Sequence, residues 1–469
     1  MTKEERVRYY DSVAAERKKW RRKGAYYHGE LERYLRLVVP PGSSVIEIGC
    51  GTGELLNALR PARGLGIDIS PGMVAEARKN FPHLRFETGD LEDLRVGETF
   101  RYVVLVETFG HVDDIQRALR ELHKVCDPRT RVILVSYNYL WEPVLKFGEA
   151  VGLRMKQPLQ HWLPMTDLAN LLFLADFEVV RRESKILAPV RVPCVSAFAN
   201  RVLANLPLIG RLCLNGILIA RPMTPRKDPG RISTSVIVPC RNEKGNIAPA
   251  AARIPAMGCR TEILFVEGHS GDGTLEECER VRDARPDREI RVFRQPGEGK
   301  GDAVREGFSR ATGDVLMILD ADLTVPPEDL PKFFEALSRG KGEFINGSRL
   351  VYQMEDRAMR FLNLLGNKFF SMVFGYLLEQ PIRDTLCGTK VLWREDYENI
   401  AAGRSYFGEL DPFGDFDLLF GAARLNLKIV EIPVKYRERT YGRTQIQRFR
   451  HGWLLLRMTF VAMRRIKFL

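Results

Sequence analysis

Short apolar segments alternate with helix-patterned stretches twice along this chain, and a proline-rich run separates the two series. The first series has Ser44 to Ile48, Gly64 to Ile67, Tyr102 to Val106 and Val132 to Tyr137; the second has Ser235 to Val238, Glu262 to Val266, Ile290 to Phe293 and Val315 to Leu319. Strand-length runs separated by helical patterns predict β-α-β units, a parallel sheet covered by helices on both faces. Between the series, Arg221-Pro222-Met223-Thr224-Pro225-Arg226-Lys227-Asp228-Pro229-Gly230 has three prolines and a glycine, which is linker chemistry. The chain is therefore expected to hold two doubly wound α/β domains, over 1–222 and 232–469, with 223–231 as the linker. Its 469 residues exceed what one hydrophobic core usually serves.

Composition narrows the class. At 45% hydrophobic and 28% charged residues the chain can bury sizeable cores, which excludes wholesale disorder. The eight cysteines are dispersed and show no Cys-x-x-Cys spacing, so neither a zinc ribbon nor a redox pair is expected. The charged start, Met1-Thr2-Lys3-Glu4-Glu5, lacks the apolar stretch of a secretory leader, and a reduced cytoplasm is the expected compartment.

The net charge of +12 is unevenly spread. After Glu438 there is no acidic residue, while Arg439, Arg443, Arg448, Arg450, Arg457, Arg464, Arg465 and Lys467 supply cations beside Trp453, Leu454, Leu455, Leu456, Met458, Phe460 and Val461. That mixture suits an amphipathic helix on an anionic membrane surface, or a terminal helix packed by its apolar face. The basic run Arg17 to Lys23 around Trp20 reads as a solvated helix face.

In the first half, Glu47-Ile48-Gly49-Cys50-Gly51-Thr52-Gly53 follows a strand and brings three glycines close together, with Glu54 where a dinucleotide fingerprint has its third glycine. Such glycines let the backbone fold tightly against a ligand. Asp68 ends the next strand, where a carboxylate can accept both hydroxyls of a ribose, and Asp90, in Gly89-Asp90-Leu91, follows the third. This constellation resembles the class I S-adenosylmethionine-dependent methyltransferases, over about residues 1 to 222. The resemblance implies a Rossmann-like fold and S-adenosylmethionine as cofactor, with Glu47, Gly49, Gly51 and Gly53 around the methionine portion, Asp68 on the ribose, and Asp90 and Leu91 at the adenine. Methyl transfer is an in-line displacement that needs positioning, with a base only if the acceptor carries a proton; Glu107, His111, Tyr26, Tyr27 and His28 are the candidates. The chain has no Asn-Pro-Pro-Tyr motif, which argues against amino methylation of nucleobases or glutamine.

The second half places Pro239-Cys240-Arg241-Asn242-Glu243, Glu267-Gly268-His269-Ser270-Gly271-Asp272, Lys300 and Asp320-Ala321-Asp322 at or after strand ends, which converge at one edge of a parallel sheet. Two carboxylates one residue apart can hold Mg²⁺ or Mn²⁺ while leaving positions for the oxygens of a departing diphosphate. Strand alternation keeps side chains two residues apart on one face, and Pro326-Pro327 supplies a break after the pair.

With those residues the second half resembles the family 2 inverting glycosyltransferases of GT-A type, in the dolichyl- or polyprenyl-phosphate mannosyltransferase-like branch, over about residues 232 to 445. Asn346-Gly347-Ser348-Arg349, Asp384 to Lys390 and Arg437 to Thr444 match that branch's later motifs; Glu267-Gly268 stands where the family usually has paired aspartates. The resemblance implies a nucleotide-sugar site of Pro239, Asn242, Glu243, Glu267, Lys300, Asp320, Arg439 and Arg443, and a metal on Asp320 and Asp322. Arg349, with Arg437, Arg439 and Arg443, would gather anionic oxygens, and Arg349, Asp415 and Asp417 are the catalytic candidates. Relatives with hydroxyl acceptors keep a general base near Asp415 and Asp417, whereas a phosphate acceptor is already ionised. The apolar stretch Phe361 to Leu378, interrupted by Asn363, Asn367 and Lys368, is too polar to span a bilayer, and the resemblance implies an interfacial helix.

The expected protein is a bifunctional enzyme on the cytoplasmic membrane face, taking a nucleotide-sugar donor and a polyprenyl phosphate acceptor, with no nucleic-acid partner. The alternative is a glycosyltransferase acting on a soluble or glycan hydroxyl, with a first domain that senses S-adenosylmethionine or serves as a scaffold.

Overall fold

The computed structural model describes residues 2–158, 160–351, 361–404, 414–439, 441 and 448–468, the side chains of 361–365 and 448–452 excepted. Its contacts divide the chain into two compact units, Met1–Met223 and Thr224–Lys467.

The first unit is a seven-stranded sheet of β1 (Ser44–Ile48), β2 (Arg63–Asp68), β3 (Arg85–Thr88), β4 (Phe100–Val106), β5 (Cys126–Tyr137), β6 (Phe177–Lys185) and β7 (Asn215–Pro222), in the order β3-β2-β1-β4-β5-β7-β6. Alternate residues enter opposite cores: Ile46 and Ile48 with Val103 and Leu105 on one face, Val45 with Tyr102 and Val104 on the other. Burial on both faces is why these strands read as continuous apolar runs. Strand order reverses between β1 and β4, and the crevice outside the carboxyl ends at such a reversal is where doubly wound sheets bind ligands.

The second unit repeats the plan with β8 (Ser233–Cys240), β9 (Arg260–Glu267), β10 (Glu289–Arg294), β11 (Val315–Ile318), β12 (Phe344–Ser348), β13 (Lys390–Trp393) and β14 (Ile429–Pro433), in the order β10-β9-β8-β11-β13-β12-β14. Ile237, Leu264 and Leu316 enter one core, and Val236, Val238, Phe265 and Met317 the other. The segment 224–231 packs within this unit: Arg226 is buried between Glu343 (2.7 Å) and Asp396 (2.8 Å), and Lys227 reaches Asp314 (2.6 Å).

Both sheets are mixed rather than wholly parallel. β7 runs antiparallel to β5 and β6, and β13 antiparallel to β11 and β12. An apolar run buried on both faces has the same pattern in either direction, so the reversal is set by the connections and leaves no trace in the periodicity.

Two candidate active sites

In the first unit the carboxyl ends of β1, β2 and β4 frame an open cleft of about 890 Å³ including its mouth, lined by Gly49, Gly51, Asp68, Asp90, Leu91 and Glu107 among others. Gly49, Gly51 and Gly53 all have positive φ (78°, 52° and 85°). A Cβ on Gly49 would lie 2.5 Å from Thr108 Oγ1 and one on Gly53 2.7 Å from the Phe86 ring, whereas a Cβ on Gly51 would meet nothing within 4 Å. The first and third glycines are thus required by packing, and the middle one leaves room at the cleft. Asp68 ties the loop down: its Oδ2 accepts from the Gly51 amide (2.8 Å) and its Oδ1 from the Ser70 amide (3.0 Å). Burial raises the Asp68 pKa, against the pull of those two amides.

Glu47 and Gly53 do not line the cleft. Glu47 is buried behind the loop with Oε2 lacking a partner, and desolvation, opposed by Arg21, raises its pKa to about 8. Its part is to underlie the loop, not to touch a ligand in the cleft.

The amino-terminal helix Lys3–Val13 forms the wall opposite the glycines. Lys3 Nζ sits 2.6 Å from Asp90 Oδ2 and 2.9 Å from Glu92 Oε2, and Arg6 donates a fork to Asp113 at 2.7 and 2.8 Å. Asp11 Oδ1 accepts from Ser70 Oγ (2.5 Å) and the Gly72 amide (2.8 Å). With Tyr10 and Arg17, these lining groups come from a region whose basic run reads as solvated in sequence, because no local pattern reports a wall built across the fold.

Of the acceptor-side candidates, Glu107 and His111 line the cleft. Glu107 takes φ +60° at the end of β4 and accepts from Tyr27 Oη (2.5 Å), which itself accepts from Asn215 Nδ2 (3.0 Å). Burial lowers the His111 pKa to about 4, keeping the ring neutral, and leaves Nδ1 without a partner. His28 packs edge-on against Tyr27, and Tyr26 Oη accepts from Asn200 Nδ2 (3.3 Å); neither lines the cleft. A second recess, lined by Phe109, Tyr137, Gln160, His161 and Trp162, shares Glu107 with the cleft.

In the second unit the carboxyl edge of β8, β9 and β11 gathers the predicted residues. β11 stops at Ile318, so both aspartates lie beyond the strand, and Leu323, at φ +54°, turns the chain after them. Lys300 Nζ lies 2.6 Å from Asp320 Oδ1. Burial works against the Lys300 charge, but Asp320 and Asp415 raise its pKa; desolvation is likewise overcome at Asp320, which Lys300 holds below the usual carboxylate range. A side chain at Gly388 would collide with both Asp320 and Lys300, so that position must be bare. Arg439 bridges Glu243 (2.9 Å) and Asp322 (2.7 Å), and Asp322 Oδ1 also accepts from Thr324 Oγ1 (2.8 Å).

Asn242, at φ +55°, shapes the neighbouring loop: its amide donates to Ser270 Oγ (2.9 Å) and its Oδ1 accepts from the Gly271 amide (2.9 Å). Pro239 is half-buried one residue before the end of β8. Glu267 is fully buried, accepting from the Ser270 amide and from Arg294 Nε (3.3 Å). Desolvation opposes its charge, yet these donors hold its pKa below the ordinary value. It supports the loop from inside and does not face an open nucleoside site.

Arg349 is committed to Asp384 through a fork, Nε to Oδ2 at 2.7 Å and Nη2 to Oδ1 at 2.8 Å, with its ring-stacking neighbour Tyr436 at 5.2 Å. Burial opposes ionisation of Asp384, but Arg349 brings its pKa down to about 2. Asp415, at the start of the helix Asp415–Arg424, is 2.8 Å from Lys390 Nζ, and Asp417 is 2.8 Å from Arg404 Nε. Arg437 is exposed, its amide donating to Thr324 O (2.9 Å). Arg443 lies outside the described residues. Among the described residues no group of three or more histidine, cysteine or carboxylate side chains could hold a metal ion.

Two helices beside this edge are apolar on both sides. Phe361–Leu378 buries Phe370, Phe374, Leu377 and Leu378 and exposes Phe369 and Met372. Arg448–Ala462 buries Leu455, Met458 and Ala462 and exposes Trp453, Leu456 and Phe460, with Arg457 on the same outer face. Among the described residues no helix is long and apolar enough to cross a membrane.

Comparison with known proteins places both halves. Residues 45–129 match the family described as "Methyltransferase domain" and residues 235–400 the family described as "Glycosyl transferase family 2". Dolichol-phosphate mannosyltransferase of Pyrococcus furiosus is 32% identical over 223 residues, 46% of this chain and 60% of the relative. The protein of the same name from Saccharomyces cerevisiae is 41% identical over 112 residues, 23% of this chain and 41% of the relative. The chain therefore spans less than two thirds of either. A solved SAM-dependent methyltransferase from Thermotoga maritima is similar at 18% identity and a TM-score of 0.37, covering 45% of this chain and 98% of that one. The chain contains a methyltransferase domain, matched over 45–129, followed by a family 2 glycosyltransferase domain, matched over 235–400.

Proposed function

We propose that the first unit transfers a methyl group from S-adenosylmethionine, and that the second transfers a sugar from a nucleotide-sugar to a polyprenyl phosphate at the cytoplasmic membrane face. In the first unit the open space at Gly51 and the carboxylates Asp68 and Asp90 fit an adenosyl ligand: Asp68 accepts from ribose hydroxyls, and Asp90, with Leu91, borders the adenine. Glu107 stands where the cleft and the second recess meet, so an acceptor entering through the recess comes up against the cofactor there. S-adenosylmethionine held there would supply the methyl group, its carbon–sulfur bond breaking as the acceptor–carbon bond forms and S-adenosylhomocysteine leaving.

The observation that carries the second reading is the paired set Lys300–Asp320 and Arg439–Asp322, one cation on each carboxylate at the rim of the sheet. Asp320 and Asp322 would hold Mg²⁺ or Mn²⁺, which would supply neutralisation of the charge that develops on the departing nucleoside diphosphate. Lys300 and Arg439 then have donors for phosphate oxygens, and the guanidinium fork of Arg439 suits them. Asp415 and Asp417 are each paired with a cation, Lys390 and Arg404, and a hydroxyl acceptor would require one of them as general base. A phosphate acceptor needs none. The outward aromatic faces of Phe361–Leu378 and Arg448–Ala462 favour an acceptor presented from a bilayer, and the names of the curated relatives agree.

The deciding experiment incubates the whole protein with radiolabelled nucleotide-sugars and vesicles containing polyprenyl phosphate. Label should move into the organic phase with added Mn²⁺, and should stay in the aqueous phase with EDTA or in D320N/D322N. A product found only in water would overturn the lipid acceptor, and undiminished transfer by D320N/D322N would overturn the metal site.

A further inference from the structure

The methyltransferase unit has an apolar surface that its cleft does not use. The helix Glu142–Ala150 has no buried residue, and Leu140, Val144, Phe147 and Val151 form one exposed stripe along it. The connection between β6 and β7 adds Val190, Val195, Phe198 and Leu208. Exposure reaches 77% at Leu208, 71% at Leu153, 69% at Val190 and 67% at Phe147, values at which such side chains gain nothing from folding. The two segments are stitched together at their base: Trp141 Nε1 donates to Leu212 O (2.8 Å), and Asn138 Nδ2 to Arg211 O (2.8 Å) and Cys213 O (3.0 Å). These bonds hold the two apolar segments side by side where they leave the sheet. Soluble proteins rarely leave apolar areas of this extent bare without a partner.

Charge identifies the partner. From Ile186 to Cys213 the chain has no Asp or Glu, and its only charged residues are Arg191, Arg201 and Arg211, all exposed and with no carboxylate pairing with them among the described residues. In the neighbouring segment the acids are already answered, Glu142 by Lys146 (2.5 Å) and Glu149 by Arg154 (2.6 Å). The patch is therefore apolar with a net positive rim, the complement of a bilayer bearing anionic headgroups. A protein partner of matching area would ordinarily answer those arginines with acids that this chain does not supply to itself.

We propose that segments 139–153 and 186–213 dock the methyltransferase unit on an anionic lipid surface, independently of the glycosyltransferase unit's own outward helices. The test is amide hydrogen exchange on the full chain with vesicles of equimolar phosphatidylglycerol and phosphatidylcholine, and with vesicles of phosphatidylcholine alone. Exchange over 139–153 and 186–213 should slow several-fold with the anionic vesicles and much less with the neutral ones, and should do so equally in W453E/F460E. Protection confined to the second unit overturns the proposal, as does protection of these segments that grows with protein concentration in the absence of lipid, which would identify a second copy as the occupant. F147E/L208E, which alters only exposed side chains, should lose the protection while still binding S-adenosylmethionine; should it fail to bind the cofactor, the exchange map of the unaltered chain decides alone.

Discussion

At the residue scale, the buried charges separate those that hold the fold from those that face a ligand. Glu47 is the clearest case, because desolvation puts its pKa near 8, above that of the unfolded chain. A raised carboxyl pKa means that its stability contribution is whole below the unfolded value of about 4.5 and is lost as pH rises through the folded one. Between pH of about 5 and about 9, E47Q should therefore gain on the unaltered protein by roughly 3–5 kcal/mol in unfolding free energy. Denaturant midpoints of the first unit at the two ends of that range measure it, and a constant difference between the proteins would show that Glu47 does not titrate there. Arg349 permits the opposite kind of test. Its fork to the fully buried Asp384 predicts that R349K, which keeps the charge but loses the planar pair, costs the second unit about 1.5–3 kcal/mol of stability. A variant of unchanged midpoint and reduced kcat would instead place Arg349 on the substrate.

At the element scale, what the sequence shows and what it hides divide along the range of the interaction. The strand ends that bring Gly49, Gly51 and Asp68 together are local features, and so is the end of β11 at Ile318, which leaves Asp320 and Asp322 beyond the strand; both could be read from glycines, acids and prolines next to apolar runs. The antiparallel β7 and β13 could not, since their residues alternate as any buried strand's do. Neither could the wall contributed by Lys3, Arg6, Tyr10 and Arg17, which depends on where a distant helix packs. Glu267 misleads for a related reason: a carboxylate at a strand end is equally suited to face a ligand or to cap a loop, and the Ser270 amide and Arg294 take it inward. The tail helix is apolar on two sides, one against the core and one outward; packing accounts for the first, and the proposed membrane contact rests on the second. W453E/F460E removes only the outer face. Each aromatic transferred from water contributes about 1.5–3 kcal/mol, so the pair should weaken capture of lipid acceptor by roughly 100-fold or more, while leaving donor affinity unchanged. Organic-phase product against vesicle concentration, with calorimetric donor titration beside it, separates that outcome from a general loss of the fold.

At the scale of the whole molecule, the two sites share no residue. Every group lining the first cleft lies between Lys3 and Gln157, the second site draws on residues from Pro239 to Arg439, and each unit has its own pair of hydrophobic cores. A ligand stabilises only the cooperative body that binds it, by RT ln(1 + [L]/Kd), about 2.7 kcal/mol at a hundredfold excess over Kd. For units of this size that corresponds to a rise of roughly 5–10 °C in Tm. Scanning calorimetry should therefore resolve two transitions: S-adenosylmethionine raises one and leaves the other in place, and nucleotide-sugar with Mn²⁺ does the reverse. D68N should abolish the first shift alone, because the carboxylate proposed to accept the ribose hydroxyls is gone while Asp320 and Asp322 are untouched. D320N/D322N should abolish the second alone. If either ligand moved both transitions together, or a single transition answered to both, the chain would melt as one body and the division of labour argued from its two sheets would fail.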